Sequence, residues 1–195
     1  RSLLEVIGGP DLWRLTAEHL LLVCSAVLLS VLLGVPLGVW AQRAPRAGYW
    51  ILALTGMVQT IPSLALLAFL IAALDRIGAV PAIAALFLYA LLPIVRNTET
   101  AIGSVSRSVS DAGHALGLTA RQVFTLIELP LALPGVLAGI KTATVISVGT
   151  ATIAAFIGAG GYGERIVAGL AVNDHRMLLA GAVPAAALAF LLGGV

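Results

Sequence analysis

The sequence predicts an all-α integral membrane protein with about five transmembrane helices and a pair of short helices between spans 3 and 4. The chain has 195 residues, of which 60% are hydrophobic and only 10% are charged, and its mean hydropathy is +1.07. Soluble domains carry about 25% charged residues, so this composition leaves too little polar surface to cover a soluble globule. Uncharged stretches of about 20 residues, the length that crosses a bilayer, recur along the chain. The net charge of +2 is small and argues against a nucleic-acid binder.

The apolar runs place the elements of a single transmembrane domain, residues 1–195, in order. Residues 1–19 are mixed in composition and predict an interfacial segment. Asp11 is expected to cap a short helix there, with Arg14 and Glu18 as an i,i+4 ion pair. The predicted spans cover residues 20–41, 50–74, 77–95, 132–157 and 177–195, and the two short helices cover residues 108–130.

Two features are expected to shape the ends of spans 1 and 3. Pro36, with Gly34 and Gly38 beside it, indicates a kink or a close helix contact near the end of span 1. The polar run at residues 96–99 is expected to close span 3. Cys24 is the single cysteine and lies inside span 1, so no disulfide framework is expected.

Polar side chains occur inside spans 2, 3 and 4. Lipid cannot satisfy such groups at membrane depth, so they must face protein or water. For span 2 two interpretations stay open: the lining of a translocation path, or a helix kinked at Pro62 whose polar groups bond to neighbours. In span 4 the small polar residues either allow close helix packing, the commoner reason, or line a polar path. The candidate path residues are Gln59, Thr60, Pro62, Ser63, Tyr89, Thr144, Ser147 and Thr150.

The segment between spans 3 and 4 has the pattern of two short amphipathic helices with a sharp bend. Ser108 with Asp111 is spaced as a capping box for the first helix, and Thr119 with Gln122 as a capping box for the second. Gly117 stands where a left-handed residue is needed after the first helix.

Two prolines are expected to bound this bent segment. Pro130 is expected to end the second helix, and Pro134 to prevent its early resumption. A DNA-binding helix-turn-helix has the same shape. Arg107 and Arg121 are the basic residues nearby, and two carboxylates oppose them, which is a poor footprint for phosphate.

A glycine-rich segment follows span 4, and its glycines match the spacing GxGxxG. A dinucleotide-binding motif needs a strand before it and a βαβ unit around it, whereas here a membrane span precedes it. We therefore expect a turn or gate outside the bilayer. Asp174 and His175 lack a third ligand nearby in sequence, so no metal site is expected. The glycines are Gly158, Gly160, Gly161 and Gly163.

The bent segment resembles the EAA loop of ABC importer permeases. Asp111-Ala112-Gly113, then Gly117, then Ile127-Glu128-Leu129-Pro130 keep that family's spacing of EAA, three residues, Gly, nine residues, I-x-L-P. Asp111 replaces the usual Glu, and Gly113 replaces the second Ala. Glycine inside a helix is less favourable than alanine by about 1 kcal/mol, so the second replacement is expected to loosen the first short helix. Residues 59–67, 91–98, 129–134 and 149–152 are similar to the osmoprotectant branch of the family, which moves glycine betaine, choline, carnitine or proline betaine.

The resemblance implies a type I permease fold in a bacterial plasma (inner) membrane, crossing it several times. Two permease subunits, alike or different, would form the pore, and two cytosolic ABC ATPase subunits would bind ATP and Mg and drive transport. An extracytoplasmic substrate-binding protein would deliver the solute. This chain would be no enzyme, would bind no cofactor or nucleic acid, and would contact membrane lipid.

The resemblance also orients the chain, which the positive-inside rule does not, because arginines are equally divided between the two faces. The bent segment would be the cytoplasmic coupling loop that docks on an ATPase, and the glycine-rich turn would be external. The residues implied in ATPase coupling are Asp111, Ala112, Gly113, Ala115, Gly117, Leu118, Arg121, Phe124, Glu128 and Pro130.

The implied function is the import of quaternary-amine osmoprotectants. Such cations are usually held over aromatic faces, and few aromatics lie within the spans: Phe69, Phe87, Tyr89, Phe156 and Phe190. We therefore expect selectivity to reside in the binding protein. The main alternative is a permease for another small solute, such as an amino acid. A membrane-anchored DNA-binding protein conflicts with the weak basic charge, and a secondary transporter with the absence of carboxylates from the spans.

Overall fold

The computed structural model describes residues 6–194, and the regular elements within them are helical. In chain order they are α1 (Leu12–Arg43), α2 (Pro45–Thr60), α3 (Ser63–Leu74), α4 (Ala79–Gly103), α5 (Arg107–Ala115), α6 (Ala120–Val123), a π turn (Phe124–Glu128), α7 (Leu129–Ala151), a 3₁₀ turn (Thr152–Ile157), α8 (Gly163–Ala171) and α9 (His175–Gly194). Over the described residues, α1, α4, the run Ala120–Ile157 and α9 are long and apolar enough to cross a membrane. Counting the bent pair α2–α3 as one span gives five. The predicted fold class is confirmed.

Helix α4 lies at the centre of the fold and packs on α1 through small residues. A Cβ atom on Gly38 would lie 2.5 Å from the Cβ of Thr98, and one on Gly34 would lie 2.9 Å from the Cγ2 of Ile94. The predicted close contact at these glycines is therefore confirmed, and such close approach of backbones is how helices associate in lipid. The small buried residues recur every four positions along α1: Ala26, Ser30, Gly34 and Gly38.

The other side of α4 packs on α7 through a second set of small residues. A Cβ on Gly139 would lie 2.6 Å from the Cβ of Asn97 and 3.0 Å from the carbonyl oxygen of Pro93. A Cβ on Gly135 would lie 2.6 Å from the Cβ of Ala101. Helix α4 is thus held between two close helix contacts.

Helix α4 does not close at residues 96–99, so this prediction was wrong. It continues to Gly103. Thr98 is fully buried against Gly38 of α1, and Asn97 lies against α7 and donates from Nδ2 to the Pro93 carbonyl at 2.8 Å. Protein covers these polar side chains on both sides, so the helix needs no turn to expose them.

The predicted interfacial segment is joined to span 1 in one helix, since α1 begins at Leu12. Asp11 stands at the N-cap position but makes no side-chain cap bond, because its carboxylate binds Arg165 instead; the predicted cap was wrong. The i,i+4 pair of Arg14 and Glu18 is confirmed, with nitrogen and oxygen 2.8 Å apart. Residues 1–5 of the predicted segment, and Val195 of span 5, lie outside the described residues.

Span 2 is broken rather than kinked. Helices α2 and α3 meet at an angle of 104°, and the two residues between them, Ile61 and Pro62, have extended backbones with ψ of 126° and 139°. Proline at this point cannot donate to the preceding turn, so the sequence located the break but underestimated the change of direction.

The bend of the short helices matches the sequence prediction in part. Gly117 has a left-handed φ of +85°, and Thr119 and Gln122 form the predicted capping box. The first predicted box is wrong, because α5 begins at Arg107 after Ser106, which makes no side-chain cap bond. The Ser108 hydroxyl instead lies 2.7 Å from the hydroxyl of Ser106.

Pro130 and Pro134 do not end the second short helix, contrary to the prediction. After α6 the backbone widens into the π turn, in which the Leu129 N–H bonds to the carbonyl of Phe124, and then continues directly as α7. Pro130 is therefore the second residue of α7 and directly follows the widened turn. The bent segment and α7 form one continuous helical run.

We expect Gly38→Ala to destabilise the fold, because the new methyl would meet Thr98 and the Val95 carbonyl at 2.7 Å or less. Overpacking of this kind costs about 1–3 kcal/mol. The matched control is Gly56→Ala in α2, where no atom lies within 4 Å of the new Cβ and alanine is the better helix former. Thermal unfolding in detergent measures both; equal stability of the two variants would contradict the close contact.

Candidate functional site

A cavity of about 350 Å³ lies at the break between α2 and α3. It brings together six of the eight candidate path residues from four helices and the break itself, and two hydrophobic residues complete its wall. Gln59, Thr60, Ile61, Pro62, Ser63, Tyr89, Ile146 and Thr150 line it. Thr144 and Ser147 lie elsewhere: Thr144 bonds to the carbonyl of Ile140 in its own helix, and Ser147 is buried.

The wall of this cavity is fixed to α4 by two hydrogen bonds. Pro93 has no N–H, so the carbonyl of Tyr89, one turn earlier in α4, loses its helical donor. Gln59 supplies that donor from Nε2 at 2.8 Å. In return the Tyr89 hydroxyl donates to the carbonyl of Ile61 at the break. The polar residues of span 2 therefore bond to a neighbour, as one interpretation expected, and they also line a cavity. That this cavity belongs to a translocation path stays a prediction.

The cavity offers hydrogen-bonding groups but no charged side chain among its lining residues. Tyr89 is its aromatic residue. Three of the other candidate aromatics, Phe69, Phe156 and Phe190, are exposed on the outer surface, and Phe87 packs against the core of α1 and α4. The described residues thus form no aromatic cage around the cavity.

Gly113 lets the two short helices pack tightly against each other. It is buried, and a Cβ there would lie 2.7 Å from Cδ1 of Ile127 and 3.2 Å from Cγ2 of Val123. The departure from alanine at this position therefore makes room for the π turn, a role that the helix propensity of glycine alone does not reveal.

The bent segment is tied to the end of α1 through Arg43, which sequence reasoning did not assign. Its Nη2 lies 3.2 Å from Oε2 of Glu128, and its guanidinium carbon lies 4.4 Å from the centroid of the Phe124 ring. Ser110 of α5 donates to the other oxygen of Glu128 at 3.0 Å. Glu128 and Phe124 therefore hold the segment together from within.

The remaining residues of the bend present an exposed surface of mostly small side chains. Leu116 is 82% exposed and is the large apolar residue of this surface. Leu118 is half-buried, and Pro130 is exposed farther along the run. We call the exposed bend the tip, made of Asp111, Ala112, Ala115, Leu116, Gly117 and Arg121.

The glycine-rich segment follows the 3₁₀ turn and forms a turn, as the sequence predicted; its location outside the bilayer stays a prediction. Gly158, Gly160 and Gly161 all have positive φ, between +70° and +87°, where residues with a Cβ are strained. Gly163 has no room for a Cβ against the carbonyl of Thr152. Glycine is thus required here by backbone geometry and by a close approach.

Side chains from the first turns of α1 hold this turn in place. Glu18 accepts from the N–H of Gly161 at 3.0 Å, and Arg14 binds Glu164 of α8 at 2.7 Å. The hydroxyl of Tyr162 donates to Oγ1 of Thr16 at 2.9 Å. The predicted gate region is therefore fastened to α1 by three polar contacts.

A buried histidine, which sequence reasoning also missed, supports the same region. His19 is fully buried and its ring packs against the tilted ring of Tyr162, with centroids 4.7 Å apart. At the end of α7 the Thr152 N–H donates to the carbonyl of Gly149 instead of that of Val148. The carbonyl of Val148 lies 3.0 Å from the Nε2 of His19. Because a carbonyl only accepts, the proton is on Nε2.

Arg165 is the buried charge of this end of the molecule. It donates to both carboxylate oxygens of Asp11 and to the carbonyl of Ile7. It also donates to the carbonyl of Ala180, which Pro184 leaves without its helical donor. The hydrogen bond from Arg165 holds the pKa of the Asp11 carboxyl below its ordinary value. Within residues 6–194, no group of three acidic, histidine or cysteine side chains is arranged to hold a metal ion.

Comparison with known proteins identifies close relatives. The family model "Binding-protein-dependent transport system inner membrane component" matches residues 30–195. The choline transport system permease protein OpuBB of Bacillus subtilis is 43% identical over 189 residues, which are 97% of this chain and 86% of that protein. The osmoprotectant import permease protein OsmW of Salmonella typhimurium is 43% identical over 182 residues, 91% of this chain and 85% of that protein.

Two further comparisons agree with these. The glycine betaine/carnitine/choline transport system permease protein OpuCB of Bacillus subtilis is 42% identical and covers 98% of this chain and 87% of its own. Among solved structures, the inward-facing MetNI methionine ABC transporter in its CY5 native crystal form has a TM-score of 0.81 at 23% identity, covering 94% and 93% of the two chains. The relatives confirm the resemblance drawn from the sequence, and the solved structure shows the shared fold.

We expect Asp11→Asn to lower the melting temperature at neutral pH by about 2–4 °C, the shift that about 1 kcal/mol produces in a chain of this size. Because Arg165 lowers the pKa of Asp11 in the folded state, the carboxylate stabilises the fold above its ordinary pKa of about 4, and this contribution is lost as the pH falls through the lowered value.

Thermal unfolding of both proteins from pH 7 down to pH 3 measures the difference, which should shrink below pH 4. Asp75→Asn, in the turn between α3 and α4, is the matched control and should leave the melting temperature unchanged. A difference that is the same at every pH would show that charge on Asp11 does not matter.

Proposed function

Because the chain belongs to the family of binding-protein-dependent transport system inner membrane components, we propose that it is the permease subunit of an ATP-driven ABC importer. Its proposed cargo is a quaternary-amine osmoprotectant such as glycine betaine, choline or carnitine. The observation that carries the proposal is identity of 42–43% over more than nine tenths of the chain to permeases named for these solutes. These relatives favour quaternary amines over the amino-acid alternative, since the likeness to a methionine transporter bears on the fold alone.

The cavity at the break of span 2 is the proposed place of passage. A quaternary amine has no N–H to donate, so it is held by the partial negative charge of oxygens and aromatic faces and by apolar contact, not by hydrogen bonds. Gln59, Thr60, Ser63 and Thr150 present amide and hydroxyl oxygens, and Tyr89 presents one ring. One aromatic face without a carboxylate binds such a cation weakly. Weak binding suits passage through the membrane and leaves selectivity to an extracytoplasmic binding protein.

The tip is the proposed ATPase contact. Small side chains around an exposed leucine suit insertion into a groove of another protein. Behind the tip, Glu128 and Arg43 connect the bend to α1, and the unbroken helical run connects it to α7. Both helices pack on α4, so displacement of the tip by an ATPase reaches the centre of the permease as movement of a rigid body.

The proposed assembly contains a second permease subunit, identical or different, and two cytosolic ATPase subunits that bind ATP and Mg. The tip then faces the cytoplasm. The glycine-rich turn, at the other end of α7 and fastened to the start of α1, faces outside. In this orientation the turn would meet a binding protein. It would also control the entry of solute at the end of span 4 that is fastened to α1.

We expect Leu116→Arg to weaken association with the cognate ATPase by about tenfold or more, as truncation of a central interface residue does. Leu116 is a better position for this test than Gly117, whose positive φ would strain any replacement. Solute-stimulated ATP hydrolysis and uptake in proteoliposomes should fall together with association.

Leu170→Arg in α8 is the matched control for Leu116→Arg. Leu170 is also an exposed leucine, 58% accessible, at the opposite end of the molecule. Affinity for the ATPase, titrated in detergent, should match that of the native chain. If Leu116→Arg binds the ATPase as tightly as this control, the tip is not the coupling surface.

We expect Thr150→Phe to block uptake without weakening ATPase association, because a phenyl ring at this position fills part of the cavity. Thr142→Phe is the control, since Thr142 lies two turns earlier on the exposed side of α7. Uptake of radiolabelled glycine betaine with both partner proteins present is the measurement. Uptake by Thr150→Phe equal to that of the control would place the path elsewhere.

A further inference from the structure

An apolar groove lies on the surface of α1 near its C-terminal end, apart from the cavity and the tip. Its volume is about 530 Å³. Helix α1 contributes Pro36, Val39, Trp40 and Arg43, and the helical run after the tip contributes Phe124 and Leu129. The guanidinium of Arg43 is the charged group of this lining.

The groove opens on a face of α1 that is apolar and exposed. Leu29, Leu33, Pro36 and Trp40 follow one another at steps of four, three and four residues, which places them on one stripe of the helix. All four are exposed. On a helix that crosses a membrane such a stripe meets lipid chains, and a tryptophan at its end lies where tryptophans are enriched, at the membrane–water interface.

The polarity of the groove changes along its length. Pro36 and Arg43 are seven residues apart, so the groove extends about 10 Å along the helix from an apolar end to a charged one. The charged end lies beside Phe124, at the membrane-surface end of α1. An occupant that fits this arrangement has an apolar chain and a negatively charged head.

The guanidinium of Arg43 has capacity for such a head group. Its hydrogen bond to Glu128, at 3.2 Å, uses one of five N–H groups. The side chain is 48% exposed, and its guanidinium carbon lies 4.4 Å from the centroid of the Phe124 ring. Arginine binds phosphate oxygens through paired N–H groups, so a phosphate can share this side chain with Glu128.

We propose that this groove is a binding site for a phospholipid with an anionic head group, whose phosphate lies on Arg43 and whose acyl chain lies along Pro36 and Val39. The proposal goes beyond the proposed function and needs only that α1 lies in the membrane. The bound lipid contacts the segment from Phe124 to Leu129, which joins the tip to α7.

Fluorescence of Trp40 tests the proposal directly. The variant Trp13→Phe/Trp50→Phe leaves Trp40 as the single tryptophan of the chain. Purified protein is placed in vesicles of fixed composition in which either phosphatidylglycerol or phosphatidylcholine carries brominated acyl chains, which quench a neighbouring tryptophan. We expect brominated phosphatidylglycerol to bind beside Trp40 about fivefold more tightly than phosphatidylcholine, the gain from one arginine near an anionic head.

Three variants of this single-tryptophan protein separate the groove from the general membrane surface. Val39→Phe fills the groove and should abolish the preference, whereas Leu32→Phe, which places the same ring on the exposed side of α1, should leave it unchanged. Glu128→Gln removes the competing carboxylate and should increase the preference.

Equal quenching by the two lipids, or a preference that survives Val39→Phe, would overturn the proposal. Absence of quenching by either lipid would overturn it as well, because it would mean that protein, such as a second copy of this chain, covers the groove. None of these readings involves ATPase or solute, so failure here leaves the proposed transport function untouched.

Discussion

Every backbone polar group inside a bilayer must find its partner within the protein, and this requirement determines how the fold is held together. Where Pro93 leaves the carbonyl of Tyr89 without a donor, Gln59 reaches across from α2 to supply one. The same arrangement recurs where Arg165 donates to α9 and where His19 bonds to the end of α7. At these three places the interruption of a helix becomes a specific hydrogen-bonded attachment between two elements.

Between these attachments the helices are held by close packing of small residues. Gly38 and Gly139 bring α1 and α7 against opposite sides of α4, so the three helices form the body of the molecule. The break at Ile61 and Pro62 stands at the edge of that body, where the chain changes direction and the cavity opens. Polar side chains from α2, α3, α4 and α7 meet at this break and line the cavity.

Local signals in the sequence were sufficient for the elements that depend on neighbouring residues alone. Gly117 and the Thr119 cap were predictable because a left-handed residue and a capping box have fixed spacing. The prediction from Pro130 was wrong, because the helical run continues past this residue through a widened turn instead of ending there. The contact of Arg43 with Glu128 was out of reach: 85 residues separate them, and no pattern in either segment specifies the other. The span count needed only composition. Six of the candidate path residues line one cavity, and they were selected because polar groups at membrane depth are rare.

The π turn sets the direction in which the tip points. A π turn contains one residue more than the α-helical path between the same ends, and each residue of an α-helix turns the chain by about 100°. Loss of one residue from Phe124–Glu128 would leave the tip's own side chains intact and rotate them by roughly that angle about α7. Leu116 would then face a different quarter of the molecule. The direction in which this surface faces thus depends on the number of residues between Gly117 and α7. It does not depend on which residues form the surface.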